Sequence, residues 1–318
     1  MSATPAQMFV RTRAGCVYTG KRVFGSWKWT RRQWLASLPV LARATTLEAA
    51  SRSLLPGVEL YTVRKSLARD PDKVLKAIAD IGYKEAEGYS RPGTVALAPK
   101  LRQLGLTPRS CETETPLITA DWEAYPEFTR ISLETAIDSL GAAGIEFFKM
   151  GYISPGARGD GDDFYRRTAD RMNAAAELCH RQGLKFAWQN RSFEFEGEPG
   201  RRPIDIFKER LDPKLVRLEL DVFRASVAGH DPVALLKEWK GRVSLLRLND
   251  KAKGTPVQFS ESIGLGAYAE AGSGVLDFRA IMKAAPSAGI KYYFTGQDET
   301  DGDPLVSLRK SFEQFKAL

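Results

Sequence analysis

The segment "GIEFFKMGY", Gly144–Tyr152, joins two helical patterns through one short apolar run. The pattern before it predicts a helix over about residues 128–143, and the pattern after it predicts a long helix over about Asp162–Gln182. Gly144 is typical of the position just after a helix, where a left-handed backbone is common. The segment therefore predicts one helix–strand–helix step.

The same step recurs from Gly57 to the end of the chain. Helical patterns stop at a glycine before the next apolar run at Gly82, Gly105, Gly144, Gly183 and Gly289. Strands that alternate with helices pair in parallel, and about eight such units fit a closed (β/α)8 barrel, the TIM barrel. A doubly wound open sheet is the alternative, but no G-x-G-x-x-G motif follows the first strand. We predict a single α/β domain over residues 55–318.

Composition excludes several classes of protein. Of the 318 residues, 43% are hydrophobic, yet no apolar run approaches the ~20 residues of a membrane span. Cys16, Cys111 and Cys179 have neither metal-like spacing nor the pattern of a disulfide framework. Only two histidines occur, His180 and His230, so a histidine-rich metal site is not expected.

The net charge of +8 lies almost entirely at the N-terminal end. Residues 1–50 contain eight basic side chains and one acidic side chain, Glu48, which leaves a net charge of only +1 for the rest. A domain without a basic face lacks the surface that binds the phosphate backbone of a nucleic acid. Nucleic-acid binding is therefore not expected.

The N-terminal segment resembles a twin-arginine export signal. Arg31 and Arg32 precede the apolar stretch Trp34–Ala42, and Ala42-Arg43-Ala44 has the form of a cleavage site. This pattern predicts a periplasmic or exported protein, with residues 1–54 outside the fold. The alternative is an N-terminal extension of a cytoplasmic protein in which the arginine pair has no such meaning.

The barrel prediction also predicts where the functional residues lie, because TIM-barrel chemistry occurs at the carboxyl ends of the strands. In "RVSLLRLNDK", Arg242–Lys251, alternation puts Arg247 on the same face as Val243 and Leu245, at the end of the seventh strand. The polar residues at all eight strand ends form the candidate set: Tyr61, Arg64, Glu87, Glu112, Lys149, Gln189, Arg191, Asp221, Arg247, Asp250, Gln297 and Asp298.

Six motifs, in order along the chain, resemble those of the sugar phosphate isomerase/epimerase family of xylose isomerase-like TIM barrels. They are "ELYTVR", "IGYKEAEGY", "FEFE", "ELDVF", "AGSGVLDF" and "YFTGQDE". The resemblance covers roughly residues 57–318. It implies a (β/α)8 barrel, a divalent metal held by strands five to eight, and proton transfer beside a sugar carbonyl by carboxylates at that metal.

The metal positions implied by this resemblance are mostly altered. Strand five, where relatives have histidine or glutamate, has Gln189; strand six keeps Asp221; strand seven has Arg247 for histidine; and strand eight has Gly296 for glutamate. Divalent ions need several carboxylate or imidazole donors, and a guanidinium repels them. We therefore predict no bound metal. We expect Arg247 to supply the positive charge and to pair bidentately with Asp221.

The remaining polar residues can be assigned candidate roles. Glu87, Glu112, Lys149 and Asp221 are the candidate catalytic residues, since each carries a titratable group at a strand end. Gln189, Arg191, Arg247 and Gln297 are the candidate substrate-binding residues. Structural alternatives remain open: Lys149 as a rim lysine in an ion pair, Glu112 as a solvated loop acid, and Glu87 as a partner of Arg64 or Arg247.

Two functions follow from these observations. The first is a sugar isomerase, epimerase or related lyase that works without the usual metal. The second is a non-catalytic barrel that binds a carbohydrate or serves as a partner subunit. In either case the expected ligand is a small carbohydrate, and the sequence names neither the sugar nor the oligomeric state.

Overall fold

The computed structural model describes residues 54–159 and 161–316. Eight parallel strands form its barrel, and they are β1 Pro56–Glu59, β2 Glu85–Gly88, β3 Thr107–Glu112, β4 Phe147–Met150, β5 Lys185–Gln189, β6 Val216–Asp221, β7 Val243–Leu248 and β8 Tyr292–Thr295. Each strand pairs with the next along the chain, and β8 pairs with β1 to close the barrel. The predicted (β/α)8 fold is therefore confirmed.

The helices lie between the strands. They are α1 Arg64–Leu67, α2 Pro71–Ile81, α3 Arg91–Gln103, α4 Pro116–Thr119, α5 Leu133–Ala142, α6 Asp162–Arg181, α7 Pro203–Arg210, α8 Val222–Val227, α9 Pro232–Glu238, α10 Phe278–Ala288 and α11 Pro304–Lys316. Short 3-10 turns cover Leu60–Val63, Pro155–Ala157, Ser192–Phe195 and Leu265–Ala267. The prediction of a helix from about residue 128 is wrong, because Ser132 caps α5 by accepting a hydrogen bond from the Thr135 amide.

Local sequence explains where several other helices begin. The side chains of Asp70, Asp231 and Asp277 accept hydrogen bonds from amides in the first turns of α2, α9 and α10. Such a cap satisfies backbone donors that have no partner within the helix. Helix α2 then buries Val74, Leu75, Ile78 and Ile81 against the barrel, as a 3.6-residue period requires.

Alternation along the strands divides the interior into layers. Phe147, Ala187, Leu245 and Phe294 form a small apolar cluster inside the barrel. Leu246 and Leu248 face outward into the main core beneath the helices. Because side chains two residues apart share a face, Arg247 lies one step above Leu245 on the inner face, as predicted. The carboxyl-terminal half of the barrel interior is therefore charged.

A loop after β7 contributes to the mouth of the barrel. Asp250–Lys251 pairs antiparallel with Tyr268–Ala269, and the chain between them supplies Glu261, Ser262 and Ile263 to the mouth. The Asp250 carboxylate accepts hydrogen bonds from the amides of Lys251, Gly272, Gly274 and Leu276. Asp250 thus fixes the shape of this loop.

Two predictions depend on features beyond the barrel. The twin-arginine segment, residues 1–54, lies almost wholly outside the described residues, which begin at Leu54. Within residues 54–159 and 161–316, no helix combines the length and the apolar character that a membrane crossing needs.

Candidate active site

A cavity of about 450 Å³ opens at the carboxyl ends of the strands. Glu59, Arg247 and Asp298 line its floor, and Glu112 and Arg191 line one wall. The floor residues come from the ends of β1, β7 and β8, which neighbour one another in the closed barrel. The cavity is therefore where the fold class predicts a TIM-barrel active site.

Arg247 is the centre of the floor. Only 2% of this residue is exposed, and its Nη2 lies 2.8 Å from Oε2 of Glu59. The same Nη2 donates a hydrogen bond to Oδ1 of Asp298. Nε of Arg247 is buried and has no hydrogen-bond partner among the described residues. A buried guanidinium is thus held by carboxylates on two sides and keeps an unused donor.

The predicted bidentate pair between Arg247 and Asp221 does not form. Nε of Arg247 lies 3.7 Å from Oδ2 of Asp221, which is beyond hydrogen-bond distance. Oδ1 of Asp221 instead accepts a hydrogen bond from the Arg224 amide and caps helix α8. Glu59 and Asp298 approach the guanidinium more closely, so they replace Asp221 as its partners.

Gly296 explains why Glu59 can reach Arg247. A Cβ atom at position 296 would lie 2.7 Å from Oε2 of Glu59 and 2.6 Å from Oγ1 of Thr62. Neither separation is possible for a real side chain without displacing its neighbour. The glycine at the position of the family glutamate therefore makes room for a glutamate from β1.

The two carboxyl groups beside Arg247 have opposite pKa shifts. Burial raises the pKa of Glu59 from 4.5 to about 8, although the charge of Arg247 opposes the shift. Burial would also raise the pKa of Asp298, but the charges of Arg247 and Arg224 outweigh it and lower that pKa below its usual value. Asp298 is therefore the anion of the floor, while Glu59 can hold or release a proton near neutral pH.

Asp298 is also held by the loop and the short helix around it. Nη2 of Arg224 donates a hydrogen bond to Oδ2 of Asp298, and the Tyr268 hydroxyl donates to the same oxygen at 3.2 Å. Arg224 is 4% exposed. These contacts fix the carboxylate that orients Arg247.

Lys149 lies below the floor, inside the barrel. Its Nζ is 2.6 Å from Oε1 of Glu87, 2.9 Å from Oε2 of Glu219 and 3.1 Å from Oε1 of Gln189. The residue is 1% exposed. Lys149 is therefore a buried ion-pair lysine and not the rim lysine of the structural alternative, and Glu87 pairs with Lys149 and not with Arg64 or Arg247.

Glu87 and Glu219, the two glutamates beside Lys149, have opposite pKa shifts. Burial would raise the pKa of Glu87, but the Lys149 ammonium and a hydrogen bond from Ser110 outweigh it and lower that pKa. Burial and the neighbouring charge of Glu87 raise the pKa of Glu219 well above its usual value. The layer therefore contains one ionised carboxylate, one ammonium and one carboxyl group that favours its protonated form.

Gln189 connects this layer to the floor. Its Nε2 donates to Oδ2 of Asp221 at 3.0 Å, while its Oε1 accepts from Lys149. An amide can satisfy a carboxylate and an ammonium at once, whereas a second carboxylate here would repel Asp221. Gln189 is 0% exposed and does not line the mouth cavity.

Glu112 and Arg191 lie on the cavity wall. Nη2 of Arg191 is 3.7 Å from Oε1 of Glu112, and Nε of Arg191 donates to the backbone oxygen of Gly151 at 2.8 Å. The side chain of Glu112 is 20% exposed and lies 3.9 Å from Nζ of Lys149. Both residues are therefore available to a molecule in the cavity.

Gln297 lies apart from the other candidates. Its side-chain oxygen accepts a hydrogen bond from the Ser307 hydroxyl of helix α11, and its backbone N–H donates to Oγ1 of Thr62 at 2.8 Å. It is 5% exposed and does not line the mouth cavity. The structure therefore brings Glu112, Arg191 and Arg247 together around the mouth cavity, leaves Asp221 buried outside its lining, and points the Gln297 side chain toward α11.

Sequence comparison decides the family. Residues 66–316 match the profile of the xylose isomerase-like TIM barrel family. The chain belongs to this family. The matched residues cover nearly the same part of the chain as the six motifs. The closed barrel agrees with the fold of the family.

The curated proteins whose sequences resemble this chain share about a quarter of the aligned residues with it. An inosose dehydratase from Geobacillus thermodenitrificans is 24% identical over 139 residues, which is 42% of this chain and 46% of that protein. Another from Clostridium tetani is 24% identical over 170 residues, covering 49% of this chain and 56% of that protein. The chain spans about half the length of these curated relatives.

Solved structures show the same fold over longer stretches. A sugar phosphate isomerase/epimerase from Parabacteroides distasonis has a TM-score of 0.66 and 20% identity, and the match covers 84% of this chain and 96% of that one. A D-psicose 3-epimerase from Clostridium cellulolyticum has a TM-score of 0.59 and 12% identity, with coverage of 83% and 98%. At these identities the likeness concerns the fold.

The residues at the family's metal positions do not fit a divalent metal. Gln189 has both ends of its amide bonded, Arg247 is a permanent cation, and Gly296 has no side chain. Asp221 is the one remaining donor. Within residues 54–159 and 161–316, no group of three His, Cys, Asp or Glu side chains could hold a metal ion.

Sequence reasoning missed two floor and wall residues entirely, Glu59 and Arg224. Glu59 ends β1 in "GVELYTV", so its position at a strand end was a usable signal. Arg224 lies in a six-residue helix and reaches Asp298 across 74 positions of sequence. No local pattern marks such a contact.

Proposed function

We propose that this chain transfers a proton beside the carbonyl group of a sugar or cyclic polyol ketone, without a divalent metal. The observation that carries the proposal is the contact between Glu59 and Arg247 on the cavity floor, 2.8 Å long. It joins a proton-transfer group and a fixed cation within one cavity. These are the two components that removal of a proton beside a carbonyl requires.

Arg247 supplies the positive charge. A guanidinium cannot lose its proton in a protein, and its planar donors suit an oxygen that gains negative charge. Arg247 lines the floor of the mouth cavity, beside the space that a ligand would occupy. In the proposed reaction this side chain binds the carbonyl oxygen and stabilises the charge that develops on it.

Glu59 transfers the proton. Acid–base catalysis is most efficient when the catalytic pKa lies near the working pH. Burial raises the pKa of Glu59 to about 8, which places both protonation states within reach. Asp298 and Asp221 act as positioning residues, since Asp298 bonds to Arg247 and Asp221 caps the helix that carries Arg224.

The relatives support this reaction class. They include proteins named inosose dehydratase and D-psicose 3-epimerase. Loss of water beside a ketone and inversion beside a ketone can both begin with removal of the proton next to the carbonyl. Glu112 and Arg191, on the wall of the same cavity, are the proposed contacts for the sugar hydroxyls.

The test is exchange of the proton beside the carbonyl with solvent deuterium, followed by NMR for D-fructose, D-xylulose and inosose. The protein is first dialysed exhaustively against EDTA. We expect exchange by the metal-stripped wild type, and a loss of about 10²–10⁴-fold in Glu59→Gln. The matched control is Glu299→Gln, which changes a glutamate of the same cavity that pairs with Arg64.

Each other outcome has a definite meaning. Exchange that EDTA abolishes and Mn²⁺ restores would show a metal-dependent enzyme and contradict the proposal. Binding of a sugar without exchange would favour the second candidate, a non-catalytic carbohydrate-binding barrel. That candidate is supported by the close ion pairing of Arg247, which is 2% exposed.

A further inference from the structure

A second cavity adjoins the mouth cavity. Its volume is also about 450 Å³, and it lies between the carboxyl end of β3, the start of helix α3 and the segment 124–129. Tyr89, Glu112 and Tyr152 line both cavities. Because these three residues belong to both linings, the two cavities are adjacent and share a boundary.

The wall of the second cavity is aromatic, and its charged side chains carry a net negative charge. The rings of Tyr125 and Phe128 are stacked with centroids 6.0 Å apart, and Phe128 is 38% exposed. Arg91 forms a forked pair with Glu114, with both oxygens 3.1 Å from Nε, so these charges cancel. Glu127 adds a negative charge at the edge. Such a wall suits a neutral ring with an apolar face and does not suit a phosphate.

Glu112 stands where the cavities meet. Its oxygens lie 3.7 Å from Arg191 and 3.9 Å from Lys149, beyond hydrogen-bond distance, and its side chain is 20% exposed. An ionised carboxylate can accept several hydrogen bonds. Glu112 can therefore bind hydroxyl groups of rings on both sides of it.

We infer that the second cavity binds a second, neutral ring joined to the sugar in the mouth cavity, so that the ligand is a disaccharide or an aryl glycoside whose first ring carries the ketone that the proposed reaction needs. The inference rests on the proposed function, because the first ring occupies the proposed active site. Phe128 supplies the stacking surface, and Glu112 marks the position of the linkage. A concave wall that combines aromatic side chains with a few polar groups is characteristic of small-molecule binding sites.

The experiment compares one-ring and two-ring probes by calorimetry on the full chain. The one-ring probes are D-glucose and D-xylose, and the two-ring probes are maltose, cellobiose and phenyl β-D-glucoside. We expect at least one two-ring probe to bind about tenfold tighter than D-glucose, as an added aromatic contact allows. Phe128→Ala should weaken that probe roughly two- to tenfold and leave D-glucose unchanged.

Two further variants keep the outcome decisive. Thr129→Trp narrows the second cavity from an exposed position and should exclude the two-ring probes alone. Val306→Ala, an exposed apolar residue of helix α11, is the control and should change nothing. Equal affinity for one-ring and two-ring probes would overturn the inference while the proposed function stands. Absence of binding by every two-ring probe would also overturn the inference, while the deuterium exchange of the ketones tests the proposed function separately.

Discussion

Oε2 of Glu59 lies 2.7 Å from the point where a Cβ atom of residue 296 would be, and 2.8 Å from Nη2 of Arg247. The Glu59 carboxyl group therefore occupies the space that a side chain at position 296 would fill, and from there it contacts the Arg247 guanidinium. Strand eight provides the space, strand one provides the carboxyl group, and strand seven provides the cation. Four predictions follow from this arrangement and from the layer below it.

Removal of the Arg247 charge is expected to weaken ligand binding. In Arg247→Met the length of the side chain is kept and its donors are lost, and a charge-assisted hydrogen bond contributes ~1.5–3 kcal/mol. Affinity for the sugar that binds the wild type should fall by about ten- to a hundredfold, measured by calorimetry. Arg210→Met, which removes an exposed partner of Asp170, is the control. Unchanged affinity with reduced stability would show a purely structural Arg247.

Introduction of carboxylate and imidazole ligands at positions 189, 247 and 296 is expected to create a metal site. The triple variant Gln189→Glu, Arg247→His and Gly296→Glu returns carboxylate and imidazole groups beside Asp221. It should retain Mn²⁺ through extensive dialysis, as measured by elemental analysis, while the wild type should retain none. A single Gly296→Glu variant should retain no Mn²⁺, because the Arg247 guanidinium would remain and repel the ion. Stoichiometric metal in the wild type would contradict this prediction.

The raised pKa of Glu59 predicts a pH-dependent stability. Burial raises this pKa from 4.5 to about 8, so the folded state binds the proton more tightly than the unfolded state. Its stabilising contribution is fully present below pH 4.5 and is lost as the pH rises through about 8.

The Glu59→Gln variant cannot titrate at this position. Its free energy of unfolding, measured by urea titration at several pH values, should therefore fall less than that of the wild type across this range. The lowered pKa of Asp298 affects the free energy of unfolding only in acid. The stabilising contribution of this carboxylate is lost as the pH falls below the ordinary value of 3.8. Parallel curves for the two proteins would mean that Glu59 does not titrate in this range.

Lys149 is expected to stabilise the barrel more than it affects the ligand. Lys149→Met leaves Glu87 and Glu219 buried without their shared cation, and breaking such a buried pair costs about 3–5 kcal/mol. The double variant Lys149→Met and Glu87→Gln should recover part of that loss. Lys185→Met, which removes a half-exposed partner of Glu146, should cost no more than about 1 kcal/mol. A stable Lys149→Met protein with lost activity would instead support the catalytic role predicted from the sequence.

Local patterns along the chain were enough to predict the barrel and the positions of most polar residues on it. Glycines after helices, alternation within strands and the order of motifs are local signals, and each depends on residues near one another in the chain. They were sufficient to predict eight strands, to put Arg247 on the inner face of β7, and to find Glu112, Arg191 and Asp221 at strand ends. They also predicted that three of the four metal positions implied by the family resemblance lack the family's donor side chain.

Which charged groups form pairs depends on how the closed barrel brings distant strands together. Glu59 reaches Arg247 from the opposite end of the sequence because closure of the barrel makes β1 a neighbour of β8. Arg224 reaches Asp298, and Lys149 joins Glu87 to Glu219, through contacts that no local pattern records. The protonation states depend on the same contacts, because burial and neighbouring charge set each pKa. Side-chain identity is a property of the sequence, whereas ion pairing and desolvation are properties of the folded chain.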